Sequence, residues 1–346
     1  MADMGSKLLI GTDEAGYGPN LGPLVISATA WEVPRDMSWE SLWTELSDVL
    51  TCEPVRNDKR LFLADSKKVY SPAGGLLDLE TGVLSCLATL AIHPQTDIEL
   101  GSALAASEFA DVCREQPEGQ LSETDLPLAA NADEINDFSL QLRQQFAKSG
   151  IRLLQVVSRI IYPPEFNDLV TKAESKGVIL SQETMGLVRR LCEEFLPSET
   201  QSPDDPERTP GAGSLFGGPE FAGGAEIYCD KHGGRNRYDQ LISELFDDRL
   251  VFRQEESMHS SRYRLGSMQF CFRTKAEAVL PVALASMVSK YIREVLMVRL
   301  NAFWQNQVPD LKPTKGYPLD AKRFRDQIAT EAEALGIHES RFWRIR

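Results

Sequence analysis

The reading of this chain turns on Leu8-Leu9-Ile10-Gly11-Thr12-Asp13-Glu14-Ala15-Gly16-Tyr17-Gly18-Pro19-Asn20-Leu21-Gly22-Pro23. A short apolar run leads into polar residues and glycines, so it reads as a buried strand closed by a glycine-rich turn. Residues 23–33 follow with Leu24, Val25, Ile26 and Trp31, a second strand. The short connection predicts that the two pair antiparallel. Asp13 and Glu14 therefore stand at the end of an apolar strand, where burying carboxylates costs free energy unless something positive offsets it. Strand side chains alternate faces, so both acids reach one site only where the strand ends or bends, and Gly16 and Gly18 supply that bend. A solvated turn is the plain alternative for the pair alone.

Outward from this segment, apolar spacing predicts helix in part of 38–63, a polar loop at 64–68 and a helix over 76–91. Residues 95–150 carry helical patches around 102–113 and 135–148. The β-branched run 153–162 predicts a strand closed by Pro163 and Pro164, followed by a helix over 178–195. Segment 197–224 is rich in Pro, Ser, Gly and acids with little to bury, and reads as a disordered loop. A strand at 225–229 delivers Asp230. A helix at 239–246, strands at 250–253 and 267–273, a long helix at 282–304, a loop at 312–318 and a helix at 321–335 complete the chain. In the long helix Ala285, Val288, Ile292, Val295 and Ala302 fall on one side. Strands first and alternating elements later predict an α/β fold around one mixed central sheet flanked by helices. We expect a single domain over 1–346, with a helical insertion at about 95–150, the disordered loop at about 197–224 and a helical C-terminal region at about 305–346.

At 346 residues and 42% hydrophobic, the chain can bury a sizeable core. It lacks an apolar run long enough to span a bilayer and an apolar leader, so a cytoplasmic protein without membrane association is expected. The six cysteines, Cys52, Cys86, Cys113, Cys192, Cys229 and Cys271, form no C-x-x-C pair. They read as reduced small hydrophobes rather than a zinc site or disulfides. The net charge of −14 argues against nonspecific coating of DNA. From Pro281 onward, however, eleven Lys and Arg face seven acids, which leaves room for a phosphate-binding face.

Asp230 repeats the setting of Asp13, following Ile227-Tyr228-Cys229 and preceding Gly233-Gly234. Glu277 lies in Lys275-Ala276-Glu277 between a strand and the long helix. Acids at strand ends let an α/β fold gather distant residues, and several carboxylate oxygens suit Mg²⁺ or Mn²⁺ rather than zinc.

These residues carry a family resemblance. Gly11–Pro23 resembles the opening signature of the type 2 ribonucleases H, the HII and HIII enzymes. Asp65-Ser66-Lys67-Lys68 resembles their second motif, Lys275–Lys290 the segment with the last catalytic acid, and Lys315-Gly316-Tyr317-Pro318 a late K-G-Y motif. The resemblance implies a ribonuclease H-like fold and hydrolysis of the RNA strand of an RNA/DNA hybrid by two ions, leaving 5′-phosphate and 3′-hydroxyl ends. It implies Asp13, Glu14, Asp230 and Glu277 as the catalytic, metal-binding set. Gly16, Tyr17 and Gly18 would approach the ribose, Ser66, Lys67 and Lys68 would hold phosphates, and Tyr317 would stack on a sugar. Plain surface lysines and a packed loop aromatic are the alternatives for Lys67, Lys68 and Tyr317. Ribonuclease HII usually has arginine where this chain has Tyr17, and glutamate at 277 is the HIII-like choice, whereas Tyr317 in K-G-Y resembles HII, so both branches stay open. The span from Asp13 to Asp230 is longer than the family's, with 95–150 and 197–224 as the insertions.

After Asp230, the run Lys231-His232-Gly233-Gly234-Arg235-Asn236-Arg237-Tyr238 is basic and glycine-bent. It reads either as a phosphate grip, with His232 in proton transfer or product release, or as a turn with solvated charges. The partner expected is a hybrid duplex, bound by a monomer. Two other readings are open: a catalytically inactive nucleic-acid-binding protein on the same fold, and a nuclease acting on structured DNA.

Overall fold

The computed structural model describes residues 5–54, 58–70, 74–105, 108–173, 175–196, 221, 223–232 and 235–345. Nine strands lie among them: β1 (Ser6–Ala15), β2 (Leu24–Pro34), β3 (Leu50–Thr51), β4 (Leu61–Phe62), β5 (Arg152–Ile161), β6 (Ala225–Asp230), β7 (Phe252–Glu256), β8 (Ser260–Leu265) and β9 (Met268–Arg273). The helices are α1 (Trp39–Glu45), α2 (Ser66–Val69), α3 (Leu77–Thr89), α4 (Asp97–Leu104), α5 (Phe109–Arg114), α6 (Ala132–Ser149), α7 (Pro163–Ala173), α8 (Lys176–Phe195), α9 (Asp239–Leu245), α10 (Leu280–Gln307) and α11 (Pro318–Ala334).

The fold is α/β. Seven strands form one mixed sheet in the order β5-β2-β1-β6-β9-β8-β7. As the glycine-rich connection predicts, β1 and β2 are antiparallel. On its other side β1 runs parallel to β6, and β6 parallel to β9, so their C-terminal ends lie at one edge of the sheet. Because strand residues alternate, β1 and β2 feed two cores. Leu9, Val25, Trp31 and Val33 pack with α3, α6 and α10 on one face. Leu8, Ile10, Leu24 and Ile26 pack with α7, α8 and α9 on the other. A third cluster joins the second half of α10 to Phe324 and Ile328 of α11 and to Phe342.

Gly11 has a packing reason. A Cβ there would lie 2.3 Å from the backbone of Pro281, so only glycine lets the start of α10 rest on β1. The residues of α10 are then buried on nearly every side, not along one stripe, because the helix is covered by the sheet, by α3 and by the C-terminal cluster. Other local expectations shift too. Among the described residues of 38–63 only Trp39–Glu45 is helical, and Leu50 starts a two-residue strand instead. Segment 64–68 is not a loop throughout. Asp65 accepts the Lys67 amide at 3.1 Å and so caps the one-turn helix α2. Pro163 and Pro164 do not merely end β5; they open α7, where proline's missing N–H costs nothing. Strand β8 escapes the sequence because its buried positions, Ser261, Tyr263 and Leu265, alternate with exposed arginines. Most of the loop read at 197–224 lies outside the described residues. Its end is packed, with Phe221 in the second core and the Gly223 amide donating to the Ser6 carbonyl at 3.1 Å. The cysteines are free, four of them buried, with Cys52 exposed and Cys271 half-buried. No helix among the described residues is long and apolar enough to cross a membrane.

The segment between α3 and β5 is helical and docks through buried polar anchors. Glu80 on α3 is fully buried and accepts the amides of Leu128, Ala129 and Ala130 at 2.6–2.8 Å and the Tyr291 hydroxyl at 2.7 Å. Arg299 on α10 pairs with buried Asp97 at 3.0 Å and donates to the carbonyls of Leu121 and Ser122. Glu80→Ala takes the acceptor from three part-buried backbone amides and from the buried Tyr291 hydroxyl, and should cost roughly 2 kcal/mol or more. Chemical denaturation of the two proteins measures this, and an unchanged midpoint would show that the segment is not held through Glu80.

Candidate metal and nucleic-acid site

β1 carries its acids inside the ladder rather than beyond it. Asp13 and Glu14 pair with Ser27 and Ile26 of β2, whereas the ladder to β6 stops at Thr12. The strand outruns its parallel neighbour, so both acids stand where only β2 flanks them. Gly16, with φ +94°, then turns the chain. A Cβ at Gly16 would lie 2.6 Å from the Pro23 carbonyl oxygen and 2.7 Å from Arg293 Nε. Asp230 ends β6, paired in register with Arg273. Glu277 follows β9 in a single 3₁₀ turn entered through Lys275 at φ +58°.

The acids feel one another. Burial, then the neighbouring Glu14 charge, raises the Asp13 carboxyl well above its usual range, against contact with the Ser286 side chain. Burial and then Asp230 push Glu14 up to about 7, and Lys67 works the other way. Asp230 is raised by burial, although the backbone N–H groups of Lys231 and Ala276 pull it down. Glu277 is raised by burial, with Asp65 and Asp230 adding to it and Lys67 opposing. Lys67 is the common counter-charge. Partial burial disfavours its ammonium, but Asp65, Asp13, Glu277 and Asp230 outweigh that and raise its pKa. Asp230 Oδ1 and Glu277 Oε2 are buried without a hydrogen-bond partner. Among the described residues, however, no three His, Cys, Asp or Glu side chains are gathered closely enough to hold an ion as they stand.

The strand and helix under the acids are tied by hydroxyls. Ser158, Ser27 and Ser289 form a buried chain with 2.8 Å links that ends on the Asp13 carbonyl at 3.0 Å. Ser286, one turn earlier on α10, donates to Ser66 Oγ at 3.0 Å and so seats α2. Ser66 is buried in that contact, and Lys67 is exposed beside the acids. Lys68 is turned to Glu53, 3.0 Å away, with both side chains more than half exposed.

The glycine-rich loop is held by two arginines that sequence reading overlooks. Buried Arg293 donates to the carbonyls of Leu21 (3.2 Å) and Lys315 (3.0 Å). Fully buried Arg344 donates to the carbonyls of Gly16 (2.6 Å) and Pro19. The Asn20 amide bonds to the Gly316 carbonyl at 2.8 Å, which fastens the loop to the K-G-Y segment. Glu294 gathers Lys290 (2.7 Å), Lys315 and the Tyr70 hydroxyl (3.0 Å), joining that segment to the chain just after α2. Gly18 faces open space, Tyr17 is half-buried against the second core, and Tyr317 is 53% exposed at the start of α11. The structure thus brings Asp13, Glu14, Asp230, Glu277 and Lys67 into one field and adds Asp65, whose place in a one-turn cap gave no signal beyond its motif. Lys68 lies apart.

His232 is neither solvated nor charged. It is buried, 3.1 Å from Ser181 Oγ and edge-on to Tyr238 and Phe272, and burial lowers its pKa to about 4. Lys231 is committed to Asn236 and to the Ser257 carbonyl, and Arg237 lies 3.7 Å from Glu256. Of the described part of this basic run Lys231 is occupied internally, Arg235 lies 5.9 Å over the Tyr238 ring and Arg237 stays largely exposed, while Gly233 and Gly234 lie outside the described residues.

An acid whose folded pKa lies above its unfolded value loses stability as pH rises between the two. For Glu14 that window runs from its usual value of 4.5 to about 7. Without divalent ions, Glu14→Gln should therefore melt higher than the parent at pH 8, by about 2 °C or more, and show no gain near pH 4. Melting curves at the two pH values check this, and equal curves at pH 8 would mean that Glu14 is not strained by its neighbours.

No family model matches the chain, and neither does any curated protein. Solved structures do. The ribonuclease HII in the PCNA:RNase HII complex from Archaeoglobus fulgidus is 15% identical, with 98% of this chain and 94% of that one covered at a TM-score of 0.40. Ribonuclease H2 from Pyrococcus horikoshii OT3 is 16% identical, covering 97% and 92% at 0.41. Bst-RNase HIII in complex with Mn²⁺ is 14% identical, covering 99% and 67% at 0.42. At these values the three are likenesses in outline only.

Proposed function

We propose that this chain is a metal-dependent endonuclease of the type 2 ribonuclease H kind, which hydrolyses the RNA strand of RNA/DNA hybrids and leaves 5′-phosphate and 3′-hydroxyl ends. One observation carries the reading. Carboxylates from the ends of β1 and β6 and from the turn after β9 share a field around Lys67, and one oxygen each of Asp230 and Glu277 is buried with nothing to bind. Buried oxygens without donors are costly, and a cation is the partner that removes the cost. An all-oxygen set fits a hard ion, so Asp13, Glu14, Asp230 and Glu277 would hold two Mg²⁺ or Mn²⁺. Bound there, such ions make hydroxide available near neutral pH and offset the charge of the leaving 3′ oxygen.

The chain's own groups supply the rest. Lys67 keeps its proton firmly and stands beside the acids, placed to take a phosphate oxygen. Ser66 seats Lys67 through Ser286. Gly18 leaves the loop backbone open to a ribose, and the 2′-hydroxyl is the group that tells RNA from DNA. Exposed Tyr317 offers a face for a sugar next to the same loop. No side-chain nucleophile is required. In this reading the chain acts as one catalytic unit in the cytoplasm, with 95–150 as an insertion that braces α10.

Four labelled duplexes test the reading: RNA/DNA hybrid, DNA with a single ribonucleotide, DNA/DNA and RNA/RNA, each with EDTA, Mg²⁺ or Mn²⁺. Metal-dependent cutting of the hybrid is expected. Cutting of DNA/DNA alone, or binding without cutting, would replace the reading with a nuclease acting on DNA or an inactive binder. Asp13→Asn should lower hybrid cleavage by more than the about 10–100-fold that outer partners of a metal site cost, with the melting curve retained. Full activity in that variant would remove Asp13 from the metal-binding set.

A further inference from the structure

A cavity of about 810 Å³ opens beside the acids, within the size range of ligand sites. Its floor is the part of the sheet beyond the strands that α10 covers, since that helix packs mainly on β1 and β2. Side chains alternate, so Glu226, Tyr228 and Asp230 share one face of β6, and Gln269, Cys271 and Arg273 stand beside them on β9. The row that floors the cavity therefore ends at Asp230. Lys275, at its mouth, is two residues from Glu277.

Its chemistry is distinct from that of the acids. Trp39 of α1 forms one wall, half-buried, with the Arg273 guanidinium 4.8 Å over its ring and the Tyr228 ring 6.3 Å away. Among the described residues Arg273 and Lys275 have no carboxylate partner, and the exposed amides of Gln254 and Gln269 make no side-chain hydrogen bond. Of the lining acids, Glu226 is taken up by Lys7 at 2.6 Å and by the Tyr228 hydroxyl at 2.9 Å, which leaves Glu40 at the rim. In a chain of net charge −14, this cavity sets two cations without a carboxylate partner beside a tryptophan and two free amides.

A planar guanidinium on an indole is a stacking platform for a nucleobase, amides read base edges, and a lysine at the mouth takes a phosphate. We propose that this cavity binds an unpaired nucleotide of the strand flanking the scissile phosphate, its base on the Arg273–Trp39 stack and its phosphate on Lys275. The proposal rests on the hydrolytic reading. Continuity of the floor with Asp230 favours a strand that passes the acids over a free nucleotide.

The full chain in EDTA is titrated with a labelled RNA/DNA hybrid, blunt or carrying a single-stranded flank of about four nucleotides, and followed by fluorescence anisotropy. The flank should tighten binding about tenfold, and Trp39→Leu and Arg273→Gln should abolish that gain. Lys275→Asn should reduce it; asparagine tolerates the left-handed backbone at 275, which keeps this variant informative if the others fold poorly. A flank that adds nothing, or a gain unchanged in Arg273→Gln and Lys275→Asn, overturns the proposal. AMP binding as tightly as the flank, with no gain from length, would assign the cavity to free nucleotides instead. A flank gain without metal-dependent cleavage refutes the nuclease reading and leaves the cavity standing; cleavage without a flank gain does the reverse.

Discussion

Carboxylates brought to the ends of neighbouring strands repel one another, and this candidate site depends on what offsets that repulsion. Each of Asp13, Glu14, Asp230 and Glu277 is raised in pKa, with burial the leading cause and another acid adding to it. The one cation that enters the balance of several of them is Lys67, on a helix of a single turn. So small a helix has little stability of its own. It persists because Asp65 caps it and Ser286 of α10 holds Ser66, so the counter-charge is positioned by the same buried helix that lies on β1. Acids, lysine and α10 form one mechanical unit.

The same helix carries that unit to the glycine-rich loop. Arg293 lies two turns beyond Ser286 and reaches the Leu21 and Lys315 carbonyls, while Arg344 arrives from the far end of the sequence to take those of Gly16 and Pro19. Both guanidiniums are buried, Arg293 with one nitrogen unpartnered and Arg344 with two, and burial lowers the pKa of both, Arg344 to about 9. Charges kept under such conditions mark a loop whose carbonyls need fixing in place, because a hydrophobic residue of similar size would pack there without that expense. On the proposed reading, in which the loop backbone would meet a ribose, such fixing matters, since a misplacement of about 1 Å can cost a site much of its rate.

How much of this the sequence discloses depends on distance along the chain. The hairpin of β1 and β2, the strands β5 and β6 and the long helix are legible because their signals are local: β-branched runs, a glycine-rich turn, apolar spacing. The acids are legible from their place at the ends of those strands. The partners that make them a site are not. Glu80, Arg293 and Arg344 act through carbonyls and amides far away in sequence, Glu294 through the Tyr70 hydroxyl and Lys315 as well as its neighbour Lys290, and nothing in a charged residue's neighbours announces that it will be buried. Strand β8 is hidden for the opposite reason, since its exposed arginines break the apolar run that would identify it. His232 looks like a turn residue beside glycines, yet aromatic packing from β9 and α9 encloses it.

The overall charge offers a last point about the substrate. At −14 the body of the chain opposes a polyanion, so on the proposed reading nucleic acid would be held by local groups rather than by a general field. Most of the arginines and lysines around the site are already paired: Lys231, Arg237, Lys68 and Lys315 each have a partner. Arg273 and Lys275, which have no carboxylate partner among the described residues, lie on the sheet face beside the acids, and Lys67 stands among the acids themselves. On the proposed reading, Arg273, Lys275 and Lys67 beside one row of carboxylates would select a strand by contact at the site, where hydroxyl, base and phosphate can each be read, and the acidic body would not accumulate on nucleic acid at large.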